Sequence, residues 1–371
     1  MNAAHARPPL ATMAFPVAAL ALIAALGLGA PWLAAAPAWV AGIGVPALAA
    51  AVLAGAVLAA LHHGEVVAMR LGEPLGTLVM TIAVTTIEVA IVISLMLHGE
   101  NNPTLAREAV FSVVMIVCTG IIGLCLLIGA IRHYQQDFRP RGASAFLATL
   151  TALAVLTLVL PNYTITTKGP TFSPAQLAFV SIVSILLYGA FLFMETVRHR
   201  DDFLDVRKDG ALAPEKPSNA QALASLAWLI VSLCGVVLLA KKVAAGVEDA
   251  LDGSGLLRPD AIVGAVIALL VLLPEALEAL RAAVHNRLQT SLNIALGAAL
   301  ATIGLMIPAV CALSLMTGRE IALGLETRDA ILLFLTLGLS AISFGTGQTN
   351  MLTGLVHLVV FATYVLLLIV P

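Results

Sequence analysis

Apolar residues run through this chain in long blocks. Eleven blocks stand out, at roughly 11–30, 38–61, 74–98, 106–131, 143–161, 174–197, 220–242, 260–284, 288–316, 327–345 and 351–370. A helix rises 1.5 Å per residue, so ~20 apolar residues cross the ~30 Å hydrocarbon core of a bilayer. Block 327–345 is cut by Gly338 and followed by a polar turn, Gly345-Thr-Gly-Gln-Thr-Asn350. The pattern predicts an all-α polytopic membrane protein of about 11 transmembrane helices. The apolar run after Met1–Leu10 is long and more spans follow it, which reads as a retained helix rather than a cleaved leader.

Composition supports that class. Of 371 residues, 60% are hydrophobic and 11% charged, with mean hydropathy +1.03, where a soluble domain carries about 25% charge. No soluble domain of useful size fits between the blocks. A net charge of −2 offers no basic patch for nucleic acid. Cys118, Cys125, Cys234 and Cys311 lie in apolar segments without a CxxC pair, which reads as small buried core residues. Neither HExxH nor GxSxG occurs, so an intramembrane enzyme lacks its metal set or nucleophile.

With the N-terminus inside, the inside stretches hold twelve of the 19 Lys and Arg, from Arg7 to Arg287. The other seven fall outside, among them Lys241, Lys242 and Arg258. Positive charge favours the cytoplasmic side, so the N-terminus is expected there and the C-terminus outside. A bacterial inner membrane is the expected setting. The longest connection, from about Arg198 to Ala220, mixes charges with two prolines and a glycine, which suits a flexible linker.

Two acids interrupt the blocks. Glu88 lies within Pro74–Leu97 and Glu275 follows Pro274 within Ala261–Ala283. A carboxylate at the bilayer centre costs at least ~2.5–3.5 kcal/mol, so each is a functional candidate. Each closes an apolar helix that precedes a polar stretch and a helix rich in small residues, with Gly123-Leu124 matching Gly304-Leu305. The acids sit on the third and eighth blocks. An odd offset of five makes the copies cross in opposite directions, as in the inverted repeats of secondary transporters. The expected division is an extra N-terminal helix (1–37), a five-helix half (38–199, repeat about 71–130), a charged cytoplasmic linker (200–219) and a second half (220–371, repeat about 263–310).

Spacing adds oxygen donors. Thr81, Thr85 and Glu88 share one helical face, as do Glu275 and Glu278. Pro274 frees a backbone carbonyl one turn earlier. In the following helices Glu108, Ser112 and Thr119 share a face, as do Asn286, Gln289 and Asn293. Carboxylate, hydroxyl, amide and free carbonyl oxygens suit a hard cation such as Ca²⁺. Bland readings compete: Thr81 and Ser112 bonding back to their own helices, Glu278 facing a vestibule or paired with Arg281, Glu108 paired with Arg107 near the outer interface. His62-His63-Gly-Glu65 reads as a polar helix end and His357 as a core or interface residue. The candidate cation- and proton-binding set is Glu88, Thr85, Glu275, Glu278, Ser112 and Asn293, with Glu88 and Glu275 touching the metal ion.

Leu71-Gly72…Leu75-Gly76…Glu88, Leu273-Pro274-Glu275 and the run from Asn286 through Gly297 to Pro308 resemble the two α-repeats of the calcium/cation antiporter superfamily. The bacterial calcium/proton branch, near the plant and fungal vacuolar exchangers, is the most similar, and the tail Ile342–Leu358 resembles it too. The resemblance runs from about His62 to the C-terminus. It implies an eleven-helix exchanger whose two repeat glutamates alternately hold cation and proton. Thr85 stands where the vacuolar branch has an asparagine, while Leu272 and Ala301 stand where it has polar residues. The implied substrates are Ca²⁺, Na⁺ or K⁺, and H⁺, with no resident cofactor.

Overall fold

A peptide group inside hydrocarbon finds a partner only in its own segment or a closed sheet, so apolar blocks close as helices. The structure, a computed structural model, describes residues 10–27, 44–72, 75–98, 102–205, 216–251 and 259–370. Arg7, Pro74, Arg207, Lys208 and Arg258, and the side chains of Thr81 and Lys241, lie outside the described residues.

The longer helices among the described residues are α1 Leu10–Gly27, α2 Val45–Leu71, α3 Leu75–His98, α4 Leu105–His133, α5 Pro140–Tyr163, α6 Pro174–Arg198, α7 Asn219–Leu251, α8 Pro259–Val271, α9 Leu273–Val284, α10 Leu288–Thr317, α11 Thr327–Gly345 and α12 Met351–Ile369. Gln136–Asp137 (β1) pairs antiparallel with Gln348–Thr349 (β2). Among the described residues eight helices are long and apolar enough to cross a bilayer, or nine when α8 and α9 count as one bent span. The length criterion thus falls short of the 11 expected crossings; α1 and the stretch Ala83–Ser94 of α3 are apolar but shorter.

Three local expectations fail. Helix α2 continues to Leu71, so His62, His63 and Glu65 lie within it and not at a polar end. Gly64 alone costs a helix only about 1 kcal/mol, and the chain turns at Gly72, whose φ of 72° ends the helix. Helix α11 passes unbroken through Gly338. Cys234 is exposed while the other three cysteines are buried, because lipid is as apolar as a protein core and does not require a small apolar side chain to turn inward.

By contacts the chain forms two compact units, Met1–His98 with Ala211–Pro259, and Gly99–Gly210 with Asp260–Pro371. Each draws on both halves of the sequence. In the first unit α2 and α7, the opening helices of the two halves, make the most extensive helix pair. Small residues bring α1 onto both: the Phe15 ring lies over Gly55, and Ala19 meets Gly235. His63, 1% exposed, stacks on Trp228 at 6.2 Å and faces the Thr12 carbonyl at 3.3 Å.

In the second unit alternate connections gather at opposite ends, as an up-and-down array of spans requires. At one end Ala322 N–H donates to Pro103, Gly324 N–H to Pro170, and Asn162 Nδ2 to Leu325. At the other, Gln136 Nε2 donates to Ala283, Arg139 Nε to Leu204, and β1 pairs with β2. Arg132, Arg139, Arg141, Arg198, Arg200, Arg281 and Arg287 belong to this second end, against Arg107, Lys168, Arg319 and Arg328 at the first.

The start of the expected flexible linker is fixed. Asp205 accepts from Thr290 N–H at 3.0 Å, Thr290 Oγ1 at 2.6 Å and Arg287 Nε at 2.9 Å, and the first of these satisfies one open backbone donor in the first turn of α10. Arg287 is 55% exposed and adds little; the cap carries the bond. Asp205→Ala is expected to cost about 1–2 kcal/mol, read as a lower thermal midpoint of the full chain in detergent, with Asp205→Asn losing less.

Candidate functional site

In the first unit, burial of α3 selects one face. Thr85 and Glu88 are 3% and 4% exposed, and Ile91 and Val92 are buried beside them. The spacing i, i+3, i+7 from Thr85 to Val92 carries hydroxyl, carboxylate and apolar wall along one stripe. A carboxylate so enclosed must be neutralised by a proton, a cation or hydrogen bonds.

In the second unit, Glu275 owes its place to a broken span. Helices α8 and α9 meet at 54°, with Leu272 at φ −76°, ψ −4°. Pro274 has no N–H, so the Leu270 carbonyl four residues earlier loses its ordinary donor. A new helix therefore begins inside apolar sequence, and Glu275 sits in its first turn, buried. That turn offers unspent N–H groups and the positive end of the helix dipole. Broken helices at membrane depth are tolerated where protein buries them or a cavity is lined. Glu278 lies one turn on, half-buried, and Arg281 is exposed.

Helix α9 packs against α10 and against α4, including the middle of α4 where residues Ile116–Ile121 form a π-turn. The corresponding helix α10 has a π-turn at Thr302–Met306. π-turns are rare and often mark functional sites. Two more π-turns occur at Val155–Val159 of α5 and Met194–Arg198 of α6, so the feature is not confined to the helices that follow the glutamates.

The remaining candidates have defined partners. Glu108 pairs with Arg107 as expected, Nη2 to Oε1 at 2.7 Å, but both are buried, 3% and 6% exposed. Arg107 also donates to the Gly324 carbonyl at 2.8 Å. Ser112 accepts from the Tyr364 hydroxyl at 2.8 Å. Thr119 bonds back to the Met115 carbonyl. Asn293 donates to the Phe203 carbonyl at 2.6 Å and accepts from Gln289, whose Oε1 takes the Arg139 N–H at 2.7 Å. Asn286, at φ 60°, turns the chain between α9 and α10 and accepts from Gln136. The amide face of α10 thus holds connecting segments in place.

Six sequence candidates therefore divide. Thr85 and Glu88 share a face in the first unit. Glu275 and Glu278 share α9 in the second, with Ser112 and Asn293 on the two helices against which α9 packs. Among the described residues no three His, Cys, Asp or Glu side chains gather as a metal cluster, so hydroxyl, amide or carbonyl oxygens have to complete any cation shell. Tyr364 was not among the sequence candidates, and His357, expected in the core or at an interface, is fully buried. A signal existed: Gly354, His357, Phe361 and Tyr364 fall on one helical face.

A family model described as sodium/calcium exchanger protein matches residues 40–197 and 224–370. The chain is 47% identical over 328 residues to the "Putative ionic transporter y4hA" of Sinorhizobium fredii, covering 87% of this chain and 88% of that protein. It is 36% identical over 310 residues to the sodium-potassium/proton antiporter ChaA of Escherichia coli K12, covering 82% and 83%. In fold it resembles native YfkE, with TM-score 0.73 at 15% identity over 96% of this chain and 100% of that one. It also resembles the H⁺/Ca²⁺ exchanger CAX, with TM-score 0.68 at 13% identity over 96% and 87%. The chain is an integral membrane protein and belongs to the sodium/calcium exchanger protein family.

Proposed function

We propose that this protein is a secondary active antiporter exchanging Ca²⁺ for H⁺ by alternating access, with Glu88 and Glu275 holding cation and proton in turn at a midplane site. The observation that carries the reading is Glu275, buried in the first turn of a helix that starts within a broken span. A carboxylate withdrawn from water is neutralised either by a proton or by a metal ion, and the two compete. That competition, met from alternate sides, is exchange. Each charge moved down the potential supplies ~2.3 kcal/mol per 100 mV, so proton entry drives cation export. Thr85, Ser112, Glu278 and Asn293 are the proposed supporting oxygens.

The proposed setting is a bacterial inner membrane, N-terminus cytoplasmic and C-terminus outside, with two inverted five-helix halves after one extra helix. The gathering of basic residues at one end of the second unit supports that orientation. Two full carboxylates favour a divalent ion. The monovalent alternative, Na⁺/H⁺ or K⁺/H⁺ exchange, is favoured by the 36% identity to a sodium-potassium/proton antiporter. A cation channel is the remote alternative, and no enzymatic step is proposed.

Proteoliposomes holding the full chain decide among these. With an imposed pH gradient, ⁴⁵Ca²⁺ uptake that collapses when the gradient is dissipated is the expected result. Uptake of ²²Na⁺ or ⁸⁶Rb⁺ alone would move the assignment to monovalent exchange. Flux indifferent to the proton gradient would make the protein a channel.

A further inference from the structure

Helix α12 lies along α4 at close range. A Cβ on Gly354 would stand 2.5 Å from the Leu127 nitrogen and 2.9 Å from the Gly123 carbonyl oxygen, so only glycine permits this approach. The Phe361 ring covers Gly120, and Tyr364 meets Phe111 edge-on at 5.7 Å while donating to Ser112. Between these contacts lies the π-turn of α4. In an α-helix the Ile122 N–H would donate to Cys118; here it donates to Val117. The Cys118 carbonyl thereby loses its ordinary donor within the helix.

His357 meets that carbonyl. Its Nδ1 lies 2.8 Å from the Cys118 oxygen, and its Nε2 lies 3.0 Å from the Ser343 hydroxyl of α11. A carbonyl only accepts, so the ring proton resides on Nδ1, and Nε2 of the neutral ring accepts from Ser343. The ring is 0% exposed and stacks on Phe344 at 6.4 Å. A buried imidazole satisfied on both nitrogens is held in one orientation. It joins the last helix to the turn against which the Glu275 helix packs.

We propose that His357 is a positioning residue for exchange: by donating Nδ1–H to the carbonyl released in the π-turn, it fixes the α4 wall beside α9. It touches no transported ion. A leucine at this position removes the side-chain donor to the Cys118 carbonyl, whereas asparagine places an N–H near the δ position. The role rests on the exchange reading above, so two independent measurements are paired.

The first is gradient-driven ⁴⁵Ca²⁺ uptake, with ²²Na⁺ in parallel, for wild type, His357→Leu and His357→Asn in proteoliposomes of equal protein content. The expected result is a maximal rate about tenfold lower in His357→Leu with KM within twofold of wild type. His357→Asn is expected to recover to within threefold, with an unchanged pH profile. Wild-type rates in His357→Leu overturn the proposal, as does His357→Asn failing equally with a displaced pH profile, which would make titration of the ring the operative property. The second is the ¹⁵N spectrum of histidine-labelled full-length protein, assigned by the signal lost in His357→Asn. The Nδ1–H tautomer is expected, and an Nε2–H tautomer overturns the proposal even if wild type transports nothing. Absence of wild-type exchange with the expected tautomer in place overturns the transport role and the exchange reading together, whereas normal wild-type exchange with the wrong tautomer overturns the His357 role alone.

Discussion

Glu275→Gln is expected to abolish gradient-driven ⁴⁵Ca²⁺ uptake, to at least ~100-fold below wild type, while the protein still inserts and unfolds at a normal temperature. Glutamine keeps the shape and most of the hydrogen-bonding capacity of the side chain. It removes the charge that makes the residue expensive in hydrocarbon, so stability does not fall. Transport does, because an amide neither releases a proton nor neutralises a cation. Losing one charged ligand costs at least about 1.5–3 kcal/mol, a factor of about 10–100 in affinity, before the missing proton step is counted. Glu88→Gln is expected to behave alike, since Glu88 is equally enclosed at 4% exposure. Glu278→Gln should lose only several-fold, because that side chain is half-buried and a turn away. Normal exchange in Glu88→Gln or Glu275→Gln would remove that residue from the mechanism.

Block hydropathy made the helices legible, because a membrane imposes one answer on any long apolar stretch. It read ends poorly. Helix α2 overran its expected stop because His62, His63 and Glu65 look like a terminus while the stacked pair His63–Trp228 buries one of them inside the unit. The charged linker read as uniformly loose, yet Asp205 is fixed by Thr290 and Arg287, residues 82 and more positions away. No local signal encodes that pairing. The two buried acids were visible for a physical reason: a carboxylate among leucines is improbable unless something selects it. Tyr364 was not visible, because a tyrosine in an apolar helix is ordinary until Ser112 is seen 2.8 Å from its hydroxyl. The amides of α10 shared a face as the spacing said, but Asn293 and Gln289 hold Phe203 and Arg139, contacts that only tertiary structure supplies.

Pro274→Ala should give a protein at least as stable as wild type that exchanges about tenfold more slowly. Pro274 stands in the first turn of α9, where proline is tolerated, whereas one unbroken helix would bear ~3 kcal/mol for it in its interior; alanine at 274 restores an N–H able to reach the Leu270 carbonyl. With the bond made, the 54° break between α8 and α9 loses its cause and the two helices join. The N–H groups of the first α9 turn then pair with carbonyls of α8, and the positive helix end near Glu275 disappears. Such an end favours a carboxylate anion by ~0.3–1 kcal/mol, and up to ~2 when partly buried. Without it a proton competes better for Glu275, so the cation concentration giving half-maximal uptake should rise about three- to tenfold at fixed pH. A straight span also forfeits the joint at Leu272, which lowers the maximal rate. Thermal unfolding and uptake kinetics on the same preparation check both halves. A raised thermal midpoint with wild-type KM and rate would make the break an architectural feature with no part in exchange.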